Sequence, residues 1–123
     1  MGDWKTRLSI LWLIHVIGGV YNVVLELFRD GNFNKIEGFL VNDYSLLMVS
    51  VAWLGPLLMA FFSQILADKA NRWANIVVGA VYAIVIAVDF IMSLALDPSV
   101  LVINPLFGII WSVLIVWYAW KSE

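Results

Sequence analysis

The chain has 123 residues, 63% of them hydrophobic and 13% charged, with a net charge of −2 and a mean hydropathy of +0.95. Soluble domains run near half apolar and a quarter charged, so this balance points to an integral membrane protein and leaves no basic surface for nucleic acid. The absence of cysteine excludes disulfides, thiolate metal sites and thiol redox chemistry, and a single histidine, His15, argues against bis-histidine haem, so no cofactor and no metal are expected.

Four apolar stretches occupy residues 8–28, 45–67, 75–96 and 100–120. Each is about 20 residues or more, long enough to cross a hydrocarbon core of about 30 Å as a helix. They predict an all-α fold: one domain over 1–123, a four-helix transmembrane bundle in up-down order, with room only for short connections. The first stretch follows Lys5 and Arg7, is too long for a signal core and meets no A-x-A-like cleavage site, so it reads as a permanent helix. On it His15, Asn22 and Glu26 are spaced seven and four apart and share one face, with Gly18 and Gly19 between them.

The connection over 29–44 alternates Gly31, Asn32, Asn34 and Gly38 with Phe33, Ile36, Phe39 and Leu40. Two readings stay open for it, a segment lying in the membrane interface as a partial lid and a plain surface loop. In the second stretch Pro56 removes a backbone donor from the carbonyl of Ala52, which in lipid must find another partner. Trp53 and Gln64 share another face of that helix. Residues 68–74 read as a short connection to the third stretch. There Tyr82, Ile86, Asp89 and Ser93 follow a four-three-four spacing along one face.

Asp89 is a lone carboxylate deep in an apolar segment, and such a group costs about 2.5–3.5 kcal/mol on insertion scales. Asp97-Pro98-Ser99 reads as a minimal turn, with Asp97 a helix N-cap and Pro98 the first helical position of the fourth helix. On that helix Asn104, Gly108 and Trp111 share a face, and Pro105 frees the carbonyl of Leu101.

Lys5, Arg7, Lys69, Arg72 and Lys121 fall on one side of this layout, and Arg29 and Lys35 on the other. The positive-inside rule then places both termini in the cytoplasm, with Trp4, Trp73, Trp117, Tyr118 and Trp120 as an inner aromatic belt. A multi-pass protein of the plasma membrane is expected.

The polar faces converge on a predicted pocket that opens outward, floored near His15 and Trp111. Asp89 is its charged centre, with Asn22, His15, Tyr82 and Asn104 around it and Glu26 near the rim. A carboxylate and an imidazole can form a proton relay, or orient a small polar or cationic ligand against the aromatic rings. The competing reading makes Asp89 an interhelical hydrogen-bonding group, worth about 0.6 kcal/mol on average.

The first functional expectation is therefore binding or transport of a small polar or cationic ligand or a proton. The alternative is an accessory or scaffold subunit with a dry interior and an apolar outer face for a partner span. A third, an enzyme acting on a lipid or quinone, would need a lateral opening beside Pro56 and a cofactor from outside the chain. Phosphate loops, H-E-x-x-H and nucleophile elbows are absent, so a hydrolytic or metal enzyme is not expected. The expected partners are the lipid bilayer and a second copy in a homo-oligomer, or another membrane subunit.

Three segments carry a family resemblance: Leu8-Ser9-Ile10-Leu11-Trp12, Lys69-Ala70-Asn71-Arg72-Trp73-Ala74-Asn75-Ile76 and Leu114-Ile115-Val116-Trp117-Tyr118-Ala119-Trp120-Lys121. Together they resemble a family of small four-helix bacterial and archaeal membrane proteins of unknown function, and more distantly the layout is similar to DoxX-like proteins. The resemblance implies the fold and no activity. Where such proteins often carry Tyr-x-Asp in the first helix, this chain has Tyr21-Asn22-Val23, while an acid stands at Asp89. Arg72 and Lys121 are expected to face lipid phosphates.

Overall fold

A computed structural model of the chain describes residues 3–30, 43–96 and 103–122. These residues form four helices and no strand: α1 (Asp3–Asp30), α2 (Asp43–Ile65), α3 (Asp68–Leu96) and α4 (Ile103–Lys121). Asp3, Asp43 and Asp68 stand in the first turns of α1, α2 and α3, and Lys121 in the last turn of α4. Those signs complement the helix dipole at each end.

Consecutive helices run antiparallel. Ser9, early in α1, donates to the carbonyl of Ala60 near the end of α2. Arg7 reaches Tyr118 and Arg72 reaches Trp120, pairing the starts of α1 and α3 with the end of α4. Both termini and the α2–α3 turn therefore lie at one end of the bundle, called here the termini end. α1 packs against α2 and α4, and α4 against α3, while α2 and α3 meet only sparsely.

The expected connection over 68–74 is corrected: it is helical, and the link shrinks to Leu66 and Ala67. The Asn71 amide already bonds the Ala67 carbonyl at 2.8 Å, and the Asn71 side chain is buried. Residues that read as a solvated turn are the first two turns of α3. The expected turn at 97–99 lies outside the described residues, as does the expected lid or loop beyond Asp30.

Among the described residues, burial is concentrated at the termini end, where Leu8, Trp12, Met59, Ala60, Ile115 and Ala119 form the core. The outside is apolar on every helix, with Ile17, Phe61, Ile84 and Phe107 all exposed. Among the described residues one helix, Asp68–Leu96, is long and apolar enough to cross a membrane, while Ser50–Ile65 and Pro105–Lys121 are apolar but shorter.

Close approach between α3 and α4 rests on two glycines. A Cβ at Gly79 would lie 2.9 Å from Cγ2 of Val116, and one at Gly108 3.2 Å from the Ile86 side chain. Small residues let two helix backbones come together where larger ones would hold them apart.

Candidate functional site

Four buried polar side chains tie three helices together at the termini end. The Trp12 indole donates to Oδ1 of Asn75 at 2.6 Å, and Ser63 donates to the same oxygen at 3.2 Å. Asn75 in turn donates through Nδ2 to the Asn71 carbonyl at 2.8 Å and to Asn71 Oδ1 at 2.6 Å. Asn71 closes the circuit with a 2.7 Å bond to the Ser63 carbonyl. Indole is a donor only, so the Asn75 oxygen must face Trp12, and every other direction in the ring follows from that.

Gln64 joins from α2 by donating to Ser9 Oγ at 2.8 Å. Asn71, Asn75, Ser63 and Trp12 have no exposed surface, and burial of such groups is tolerated because each is bonded. This network was not anticipated from the sequence. The signal was available: Asn71, Asn75 and Tyr82 are four and seven apart on one helical face.

Cations close the same end. Lys5 donates to the Leu66 carbonyl at 2.9 Å and pairs with Asp68 at 2.7 Å, holding the end of α2 to the start of α3. Arg72 donates to the Trp120 carbonyl at 2.8 Å and lies over the Trp120 ring. Arg72 was expected to face lipid phosphates; it has this partner within the chain. Positive groups at helix C-termini satisfy the last carbonyls and the dipole together.

Above the network, two predicted site residues meet. His15 and Tyr82 have ring centroids 5.5 Å apart, and both meet Trp12 edge-on, at 5.9 and 5.7 Å. Edge-to-face pairs at these separations are favourable. The Tyr82 hydroxyl donates to the Val51 carbonyl at 3.0 Å and lies against Gly55, where a Cβ would overlap it. A hydroxyl donor thus sits beside the Gly55-Pro56 interruption, on the carbonyl next to that of Ala52. Among the described residues His15 Nδ1 is buried with no hydrogen-bond partner, leaving it open to a proton or a donor.

Asp89 is seven residues beyond Tyr82 on the same face of α3, about 10 Å further from the termini end at helical rise. It is exposed, and among the described residues it has no ion-pair partner. Among the described residues α2 and α3 meet only sparsely. Val85, Val88 and Met92 around it are exposed apolar residues.

Of the other predicted residues, Asn22 and Trp111 are half-buried. Asn22 makes an interaction within the chain. Asn104 is in α4 and Glu26 in α1, and their side chains lie outside the described ones. Trp53 and Gln64 part company: Trp53 packs over Gly19, where a Cβ would sit 3.5 Å from its ring, while Gln64 belongs to the termini-end network. Among the described residues no three His, Asp or Glu side chains converge as a metal site would require.

A second feature was also not anticipated. A groove of about 300 Å³ opens between α1 and α4 at the termini end, lined by Arg7, Ile10, Leu11, Leu114, Trp117 and Tyr118. Its rim belongs to a ring of paired cations and aromatics, with Lys121 over Trp117 at 4.7 Å and Lys5 beside Trp4 at 5.7 Å.

No protein-family model matches the chain, and comparison with curated proteins and with solved structures finds no significant match.

Proposed function

We propose that this chain is a multi-pass membrane protein with cytoplasmic termini, which binds a small polar or cationic ligand or a proton in a cleft open on the opposite side. The observation that carries the reading is Asp89. It is exposed on the face of α3 that nearer the termini is filled by Tyr82, Asn75 and Asn71, all bonded within the bundle. A carboxylate is costly against hydrocarbon, so its exposure here fits a water-lined cleft better than a lipid-facing wall. His15 and Tyr82 form the floor, and the bonded termini-end half below them fits a closed base.

The membrane placement draws on the apolar exterior of all four helices and on the ring of tryptophans and cations at the termini end. Such a ring suits a headgroup boundary, and its basic character suits the cytoplasmic side. Likeness to the small four-helix and DoxX-like membrane proteins belongs to the same proposal. Because the base is filled, a single copy suits binding rather than conduction. A second reading, an accessory subunit, is favoured by the exposed apolar faces of α2 and α3, including Leu54, Phe61, Val81 and Val88.

Thermal unfolding of wild type and Asp89→Asn between pH 5 and 9 separates the readings. In a hydrated cleft the amide should change stability by less than about 0.5 kcal/mol throughout, as at ordinary solvated positions. A carboxylate pressed into hydrocarbon or a dry interface is penalised whenever it carries its charge. Stability would then be lost as pH rises, and the amide would stabilise increasingly with pH. That second pattern defeats the cleft reading.

A further inference from the structure

The groove between α1 and α4 is a candidate site independent of Asp89, and it has a polarity of its own. Arg7 and Tyr118 stand at the end nearest the chain termini, while Ile10, Leu11 and Leu114 lie further along α1 and α4, toward the middle of the bundle. One end is therefore cationic and hydrogen-bonding, and the other wholly apolar. Ile10 and Trp117 are exposed at 48% and 51%, so the groove opens sideways along the bundle rather than into its core.

Its charged end is not saturated. Arg7 donates one bond to Asp3 at 2.8 Å and one to Tyr118 at 3.3 Å, and a guanidinium has further N–H donors beyond these two. The Tyr118 hydroxyl accepts from Arg7, leaving its own proton to donate outward. Lys121, one turn past Trp117 on the same face, adds a second cation over that ring. Among the described residues, two cations against the single carboxylate of Asp3 make the mouth positive.

We infer that this groove binds an anionic phospholipid of the cytoplasmic leaflet. One acyl chain would lie along Ile10, Leu11 and Leu114, and the phosphate would rest at Arg7 and Tyr118. The inference rests on the membrane placement proposed above. The direction of the groove matches a lipid standing in its leaflet, headgroup at the interface and tail toward the midplane. Basic pockets between helices on the cytoplasmic side select acidic headgroups.

The test is native mass spectrometry of the full chain in detergent, titrated with dioleoyl phosphatidylglycerol and with dioleoyl phosphatidylcholine. With the same tails, the first phosphatidylglycerol should bind about fivefold more tightly, the size expected for one effective cation near the surface. Arg7→Gln should bring the two lipids to parity. Ile10→Trp, which fills the groove from an exposed position and leaves the charges in place, should weaken the first binding event several-fold. Val113→Trp, exposed elsewhere on α4, should not.

Equal affinity of wild type for the two lipids would overturn the assignment, and so would equal behaviour of Ile10→Trp and Val113→Trp. Failure of the membrane placement reads out separately, as release of the chain from membranes by alkaline carbonate and solubility after detergent removal.

Discussion

Trp12 and Asn75 share a 2.6 Å hydrogen bond between α1 and α3, with no solvent-accessible surface on either residue. That single contact sets the direction of a closed ring of bonds through Asn71 and Ser63. Asn75 needs an amide for this, because its oxygen accepts from two donors while its nitrogen gives to two acceptors.

Asn75→Ala should therefore destabilise the bundle by about 2 kcal/mol or more, since it strands a buried indole N–H and a Ser63 hydroxyl. Asn75→Asp should cost at least as much. It keeps acceptors for Trp12 but turns the donor toward Asn71 into a second acceptor facing two oxygens. Chemical denaturation in detergent checks both, and an aspartate variant as stable as wild type would exclude this bonding scheme.

The helix crossing at Gly79 gives a second expectation. A methyl there meets the stiff Val116 side chain at 2.9 Å and the Ser112 carbonyl at 3.5 Å, so Gly79→Ala should destabilise by about 1–3 kcal/mol despite better helix propensity. Gly18 has nothing within 4 Å of the same methyl. Gly18→Ala should be neutral or stabilising by up to about 1 kcal/mol. Paired melting curves test the contrast, and equal shifts would remove the crossing from the account.

Gly55 gives a third. Its missing side chain is what lets the Tyr82 hydroxyl reach Val51. Gly55→Ala should push the Tyr82 ring away, break that bond and disturb the edge contact with His15. Tyr82→Phe, which removes the hydroxyl alone, should cost only about 1 kcal/mol. In the Tyr82→Phe background, Gly55→Ala should cost less than it does alone. A double-mutant cycle with no coupling would mean the two residues do not act together.

Much of the architecture was legible because long apolar runs can do little other than form helices. Tyr82 and His15 were both named from their helical faces as lining one pocket; their rings lie 5.5 Å apart. The α2–α3 turn was misplaced for a specific reason. Asp68, Lys69, Asn71 and Arg72 look solvated when read along the chain, yet Asn71 points inward and Arg72 caps another helix. Side-chain bonds between distant segments leave no local signature.

Gly55 shows the same limit, since its partner lies on α3. Asp89 was recognisable as unusual by its hydrophobic neighbours alone. Its exposure on α3 depends on how the neighbouring helices pack, which periodicity does not encode.

Because the chain contains no cysteine, a single introduced thiol reports directly on whether water reaches Asp89. Ser93, one turn beyond Asp89 on the same face and half-buried, is replaced by Ser93→Cys in protein reconstituted in membranes. Reaction is then timed with membrane-impermeant methanethiosulfonates carrying either an ammonium or a sulfonate group, added on the side opposite the termini. A hydrated cleft with the Asp89 carboxylate one turn away predicts reaction with both reagents, several-fold faster for the cation, and loss of that preference when Asp89→Asn is added. A thiol that stays unreactive from that side, or that shows no charge preference with Asp89 in place, would contradict the account.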